Sequence, residues 1–76
     1  MNLNEVLGTN IRILMARDKI TVSKLAKEAG IARSTITSYR DGHIKMINLE
    51  VLDTIADYFG VNASVLLRRN DYNSSL

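Results

Sequence analysis

A polar row that begins with an arginine is the part of this 76-residue sequence whose residue types and spacing could do chemistry. The row consists of Arg33, Ser34, Thr37 and Ser38. On a helix these positions share one face, because residues three and four apart are neighbours. An arginine can donate two parallel hydrogen bonds to a guanine, and short hydroxyl side chains can approach base edges without steric obstruction. A solvated helix surface is the alternative interpretation of the same four residues.

Apolar residues at helical spacing predict the elements that would position this row. Leu7, Ile11 and Leu14 recur at intervals of four and three residues, which predicts a first helix from about Asn4 to Arg17. No long segment alternates with a period of two, so strands are not expected. The sequence therefore predicts an all-α chain with five short helices. From residue 70 onward the composition is polar, which predicts a frayed tail.

Residues suited to helix ends mark the other four helices. Thr21 can cap a second helix, which Gly30 ends because glycine accepts a positive φ at little steric cost. A third helix is predicted over residues 33–41, with Gly42 after it. Asn48 can cap a fourth helix that ends before Gly60, and Asn62 can cap a short fifth.

The composition excludes several classes of function. The chain is 46% apolar and 24% charged, which is ordinary for one small folded domain. It has no cysteine and one histidine, so disulfides, thiol nucleophiles and cysteine- or histidine-rich metal sites are not expected. There is no glycine-rich phosphate loop, and we expect neither an enzyme nor a cofactor. No run of eighteen apolar residues occurs, and we expect a cytoplasmic, nucleoid-associated protein with no membrane partner.

Charge is distributed unevenly along the chain. The segment 12–45 holds eight basic and three acidic residues, a net +5, whereas the rest of the chain carries a net −3. A basic middle with acidic ends is expected if one surface meets a polyanion and another faces away. A solvated helical bundle with scattered lysines is the alternative explanation of the same charges.

The segment TVSKLAKEAGIARSTITSYRDG, residues 21–42, predicts two short helices around a tight turn. Ala26 supplies a small residue where the two helices would cross, and Gly30 supplies a permissive residue in the turn. Ile36 and Tyr39, three residues apart, would anchor the second helix on the core. The polar row would then face away from the core.

Together with LGTNIRILM before this segment and NLEVLDTIADYFGVNASVLL after it, the chain resembles the Cro/C1-type helix-turn-helix family, the five-helix lambda-repressor-like domains. The resemblance covers about residues 7–67. It implies a DNA-binding domain over residues 1–69, followed by a polar C-terminal tail over residues 70–76. Double-stranded DNA is the implied partner, and no small-molecule ligand is expected.

The resemblance also implies roles for individual residues. The third helix would be the recognition helix, and its base-contacting residues would be Arg33, Ser34, Thr37 and Ser38. The residues near phosphates would be Thr21, Ser23, His43 and Lys45. Pairing across a two-fold axis at the last helix would use Val61, Val65, Leu66 and Leu67. Such a dimer would contact half-sites about one helical turn, roughly 34 Å, apart.

Four features depart from the family pattern. Val22 stands where many relatives have a glutamine, and Ala32 stands where a polar cap usually opens the recognition helix. The loop over residues 43–47 is more apolar than in relatives. Val6 and Ile13 lie off the apolar face of the first helix and could form an exposed strip that marks a protein partner.

Two functions are consistent with these observations. The first is a sequence-specific transcriptional regulator, a small Cro-like phage or prophage repressor that acts as a dimer on a palindromic operator. The second is a protein-binding modulator or antirepressor that uses the same fold to engage another phage repressor, with weak DNA binding of its own. The Val6 and Ile13 strip, the apolar loop and Val22 favour the second.

Overall fold

The computed structural model describes residues 2–69, which form five α-helices. The helices are α1 (Leu3–Asp18), α2 (Val22–Ala29), α3 (Arg33–Asp41), α4 (Leu49–Phe59) and α5 (Ala63–Leu66). No strand occurs within residues 2–69, so the all-α prediction is confirmed. The tail predicted over residues 70–76 lies outside the described residues. None of the helices in the described part is long and apolar enough to cross a membrane.

Local capping explains where several helices begin. The Thr21 hydroxyl accepts a hydrogen bond from the Lys24 amide at 3.1 Å, and the Asn48 side chain accepts two at the start of α4, as predicted. Asn62 also precedes its helix, but its side chain makes no capping hydrogen bond, so that prediction is wrong. α3 begins after Ala32 with no side-chain cap. The glycines at 30, 42 and 60 end α2, α3 and α4 at φ values of 71°, 73° and 69°.

The core draws on all five helices. α1 packs against α3 and α5, α2 packs against α3 and α4, and α4 packs against α5. Ile36 and Tyr39 are both buried, so the inner face of α3 is as predicted. The Tyr39 hydroxyl accepts a hydrogen bond from the Asn48 amide at 2.8 Å, which joins the end of α3 to the start of α4. The inner face of α3 is therefore packed against the core and joined to the start of α4.

Two side chains expected at the surface are buried. Val6 is 2% exposed; α1 packs against both α3 and α5, so more than one of its faces is covered. The exposed strip expected from Val6 and Ile13 therefore does not form, and Ile13 alone is 38% exposed. Leu66 is fully buried in the core, so the prediction of an interface role for its side chain is also wrong.

Close backbone contact positions α3 against α1. A Cβ atom built on Gly8 would lie 2.6 Å from the Arg40 carbonyl oxygen and 3.1 Å from that of Tyr39. Both neighbours are backbone atoms near the end of α3, so neither can rotate away. Glycine at position 8 therefore sets how closely α1 approaches α3.

A buried asparagine attaches α5 to α1. Asn10 is 6% exposed, and its side-chain amide donates hydrogen bonds to the carbonyl oxygens of Val65, Leu66 and Arg68, at 3.3, 2.8 and 2.9 Å. The last carbonyl groups of a helix lack partners within the helix. Asn10 supplies those partners for a helix of four residues.

Candidate nucleic-acid interface

The outer face of α3 carries the four residues predicted to contact bases. Arg33 and Ser34 are exposed in the first turn, and Thr37 and Ser38 are half-buried one turn later. Arg33 and Thr37 are four residues apart, as are Ser34 and Ser38, so the helix brings the four onto one side. That side lies opposite the buried inner face. α3 therefore presents one cation and three hydroxyl groups as a continuous polar surface.

The turn between α2 and α3 has the features predicted for a helix-turn-helix. Ala26 is buried within the core cluster, and the Ile31 amide donates to its carbonyl oxygen at 3.1 Å. Gly30 has the positive φ that the turn requires. α2 packs against α3 across this turn.

The first turn of α2 carries two of the residues assigned to phosphate contact. Thr21 and Ser23 are both exposed. The Thr21 oxygen accepts the capping hydrogen bond, and its hydroxyl hydrogen can still be donated to an anion. Val22, between them, packs partly on the core and offers no polar group. The start of α2 can therefore donate to a phosphate through two hydroxyl groups.

The loop between α3 and α4 carries the other two, His43 and Lys45, both exposed. The loop is fixed by contacts from elsewhere in the fold. The Asn4 side chain donates to the Ile44 carbonyl oxygen, and the His43 amide donates to the Ser38 carbonyl oxygen at 2.9 Å. These hydrogen bonds fix the loop backbone that carries His43 and Lys45.

The acidic residues of the basic middle segment are all engaged by hydrogen bonds. Asp18 pairs with Arg17 at 2.8 Å and Asp41 pairs with Arg40 at 2.9 Å. The hydrogen bond from each arginine lowers the pKa of its aspartate, so both carboxylates stay ionised. Glu28 accepts from the Tyr58 hydroxyl, and this hydrogen bond raises the pKa of Tyr58.

Several cations on α2, on α3 and in the loop after α3 remain outside ion pairs. Within residues 2–69, Lys24, Lys27, Arg33 and Lys45 form no ion pair, and all four are exposed. Positive charge that is not neutralised inside the protein can replace counterions on a phosphate backbone. The surface around α2 and α3 is therefore suited electrostatically to a polyanion.

Sequence reasoning assigned no role to Arg12, which the fold brings to the end of α3. Its guanidinium donates to the Arg40 carbonyl oxygen and, at 3.0 Å, to the Thr9 hydroxyl. Arg12 lies four residues after Gly8, on the side of α1 that meets α3, and this spacing could have indicated a contact with α3. Arg12 satisfies a carbonyl group that the helix leaves without a partner.

No metal centre is formed in the described part of the chain. Among residues 2–69, no three side chains of histidine, cysteine, aspartate or glutamate lie close enough to hold a metal ion.

Comparison with known proteins agrees with this geometry. No curated protein matches the chain. A solved structure described as a hypothetical transcription factor, NHTF, from Neisseria superposes with a TM-score of 0.86 at 23% identity, over 97% of this chain and 84% of that chain. That likeness shows the fold. Residues 10–71 match the Cro/C1-type HTH DNA-binding domain, and the chain belongs to this family of helix-turn-helix DNA-binding domains.

Proposed function

We propose that the chain is a sequence-specific transcriptional regulator that binds a palindromic operator as a dimer, in the manner of a small Cro-like phage or prophage repressor. The observation that carries the proposal is Arg33, which is exposed and outside any ion pair at the start of α3. An arginine at the start of a groove-binding helix is placed to donate two hydrogen bonds to a guanine.

The rest of the surface supports this docking. With α3 in the major groove, Ser34, Thr37 and Ser38 face the same base edges as Arg33. The first turn of α2 meets one phosphate strand through Thr21 and Ser23. The loop with His43 and Lys45 meets another. Contacts to phosphate position the protein, and contacts to base edges provide the sequence preference.

The test is the response of operator affinity to Arg33→Ala. Duplexes selected from a random library by the purified protein first provide the operator, at physiological salt where non-specific binding is weak. We expect the substitution to reduce operator affinity by about 1–3 kcal/mol, because one bidentate base contact is lost. Binding is measured by fluorescence anisotropy on operator and random duplexes. Unchanged operator affinity would remove α3 from base recognition.

Lys45→Ala is the matched control, because it also removes one exposed cation. A phosphate contact is independent of sequence, so its loss should weaken binding to operator and random DNA alike. The slope of log affinity against log salt should also fall by about one. The two variants thus separate base recognition from attraction to phosphate.

We further propose that the dimer forms on the apolar surface of α5. Val61, Val65 and Leu67 are half-buried there in the single chain. An open groove of about 390 Å³ between α4 and α5 adjoins this surface and is lined by Leu49, Glu50, Leu52, Asp53 and Ala63. Leu49 is 74% exposed at its edge. Burying this apolar surface against a second copy would stabilise the pair.

Val65→Asp is expected to shift the protein from dimer to monomer, because the interface would have to bury a carboxylate without a partner. Sedimentation velocity should show at least a tenfold weaker self-association, and operator affinity should fall with it. Ser64→Asp adds the same charge at an exposed position of α5 and should leave the dimer intact. Melting curves confirm that both variants fold. A dimer that survives Val65→Asp would place the interface elsewhere.

The antirepressor function is the second candidate. It is favoured by two exposed apolar side chains, Met46 at 84% and Leu49 at 74%, which a protein partner could cover. Because Val6 is buried, Ile13 is the one residue of the expected strip that a partner could contact. If a folded protein enriches no duplex from the library, binding to a co-encoded repressor becomes the function to test.

A further inference from the structure

The end of α3 carries an ion pair between adjacent residues. The Arg40 guanidinium donates from Nε to Asp41 Oδ1 at 2.9 Å and from Nη2 to Oδ2 at 3.3 Å. Each side chain is 34% exposed, so solvent and solvent-borne anions can reach the pair. Asp41 therefore occupies the Nε and Nη2 edge of the guanidinium, one of the edges through which Arg40 could hold a phosphate.

Helix stability does not account for an aspartate at this position. Asp41 is the last residue of α3, where the helix dipole leaves partial negative charge and a carboxylate is unfavourable. An exposed ion pair contributes little to the stability of the fold. A residue that costs helix stability at a helix end invites a functional explanation.

A second arginine lies near the same carboxylate. The pKa of Asp41 is lowered first by its hydrogen bond from Arg40, and also by the charges of Arg40, His43 and Arg12. Arg12 reaches this place through its hydrogen bond to the Arg40 carbonyl oxygen. Two arginine guanidinium groups therefore lie near one internal anion.

The cluster lies beside the surface assigned to DNA. Arg40 follows Arg33 by seven residues and Thr37 by three, so it flanks the outer face of α3. The loop that carries His43 and Lys45 begins directly after it. Side chains that flank a helix in the major groove meet the phosphate strands.

We propose that Arg40 and Arg12 form a further phosphate-binding site beside His43, and that Asp41 occupies it in the free protein as an internal competitor. The proposal rests on the proposed DNA-binding function. On DNA, a backbone phosphate replaces Asp41 as the partner of Arg40. Because this exchange is independent of base sequence, Asp41 weakens binding to all DNA and limits the time spent on non-specific sites.

Asp41→Asn is the test, since it removes the competing charge and keeps the shape. We expect about fivefold tighter binding to operator and random duplexes alike, and an unchanged slope of log affinity against log salt, because the same phosphates are neutralised in both proteins. Asp18→Asn is the control, because it breaks an equivalent pair with Arg17, whose guanidinium lies against the Phe59 carbonyl oxygen at the end of α4. It should change neither quantity, and melting curves verify the folding of both variants.

A second background tests whether the effect passes through Arg40. In Arg40→Gln protein, Asp41→Asn should bring little gain in affinity. An equal gain in that background, or from Asp18→Asn, would mean that removing any carboxylate suffices, and it would overturn the site. Weaker operator binding by Asp41→Asn would make Asp41 a base contact, as in hydrogen bonding to cytosine, and would overturn it as well.

The failure of this inference differs from the failure of the proposed function. If Arg33→Ala lowers operator affinity but Asp41→Asn changes nothing, base recognition stands and the internal competitor is wrong. If Asp41→Asn tightens binding to random DNA while Arg33→Ala has no effect on the operator, the phosphate site stands and the recognition surface is wrong.

Discussion

Asn10→Asp is expected to lower the free energy of unfolding at neutral pH by about 3–5 kcal/mol, because it leaves a buried charge without a partner. The side-chain amide of Asn10 donates to three carbonyl oxygens at the end of α5. An ionised carboxylate cannot donate, so it would face those oxygens with repulsion. Chemical denaturation monitored by circular dichroism measures the loss, which is a large part of the stability of a domain this small.

The effect should depend on pH in a defined direction. In the fold, the pKa of the introduced carboxyl group would be raised above its unfolded value of about 3.9, since only the protonated form can donate a hydrogen bond. The destabilisation is therefore small below that pH, grows as pH rises toward the folded pKa, and is constant above it. A loss of stability that does not vary with pH would contradict this account of Asn10.

Asn48→Asp is the matched control for the same chemical change. Asn48 accepts hydrogen bonds from the Glu50 and Val51 amides at 2.9 and 3.1 Å. An aspartate can accept both, and its charge is favourable at a helix N-terminus. We expect unchanged or slightly higher stability. The contrast isolates the difference between an asparagine that donates and one that accepts.

Gly8→Val is expected to lower the free energy of unfolding by about 3 kcal/mol, at the upper end of the cost of overpacking. The first added carbon would already lie 2.6 Å from the Arg40 carbonyl oxygen, and two methyl groups would follow it. α1 and α3 must then separate. Thermal and urea unfolding measure the loss of stability. Operator affinity of the folded protein should fall too, because α3 is displaced.

Ala16→Val provides the comparison on the same helix. Ala16 is exposed, so valine there costs only helix propensity, less than about 1 kcal/mol. Operator affinity should be unchanged. Equal effects of the two substitutions on stability and on DNA binding would show that the close approach at Gly8 is unimportant.

The features that sequence reasoning predicted correctly are local ones. Thr21 and Asn48 cap their helices because a cap depends on a few adjacent residues, and the glycines after α2, α3 and α4 end them for the same reason. The inner residues of α3 follow from helical periodicity. The outer face of α3 was predicted as the polar side opposite these inner residues. The roles assigned to that face remain predictions.

The features that sequence reasoning missed depend on how the helices pack. Val6 is buried although it lies off the face that the apolar spacing of α1 indicates, and α1 contacts two other helices. Leu66 belongs to a single turn, in which periodicity carries little information about direction. Asn10 offered a usable signal, since it lies three residues after Leu7 and four before Leu14, on the face that was predicted to be buried. A polar residue there requires a buried partner.

The attachment of α5 through Asn10 bears on the order in which the protein folds. A helix of four residues has almost no stability by itself. Its hydrogen bonds to Asn10 close a loop of 55 to 58 residues, an entropic cost that is met only once α1 is in place. We therefore expect α5 to dock last and to open first. In the proposed dimer, the docking of α5 and the pairing of the subunits are therefore coupled. Dilution of the protein would separate the subunits and favour undocking of α5 together.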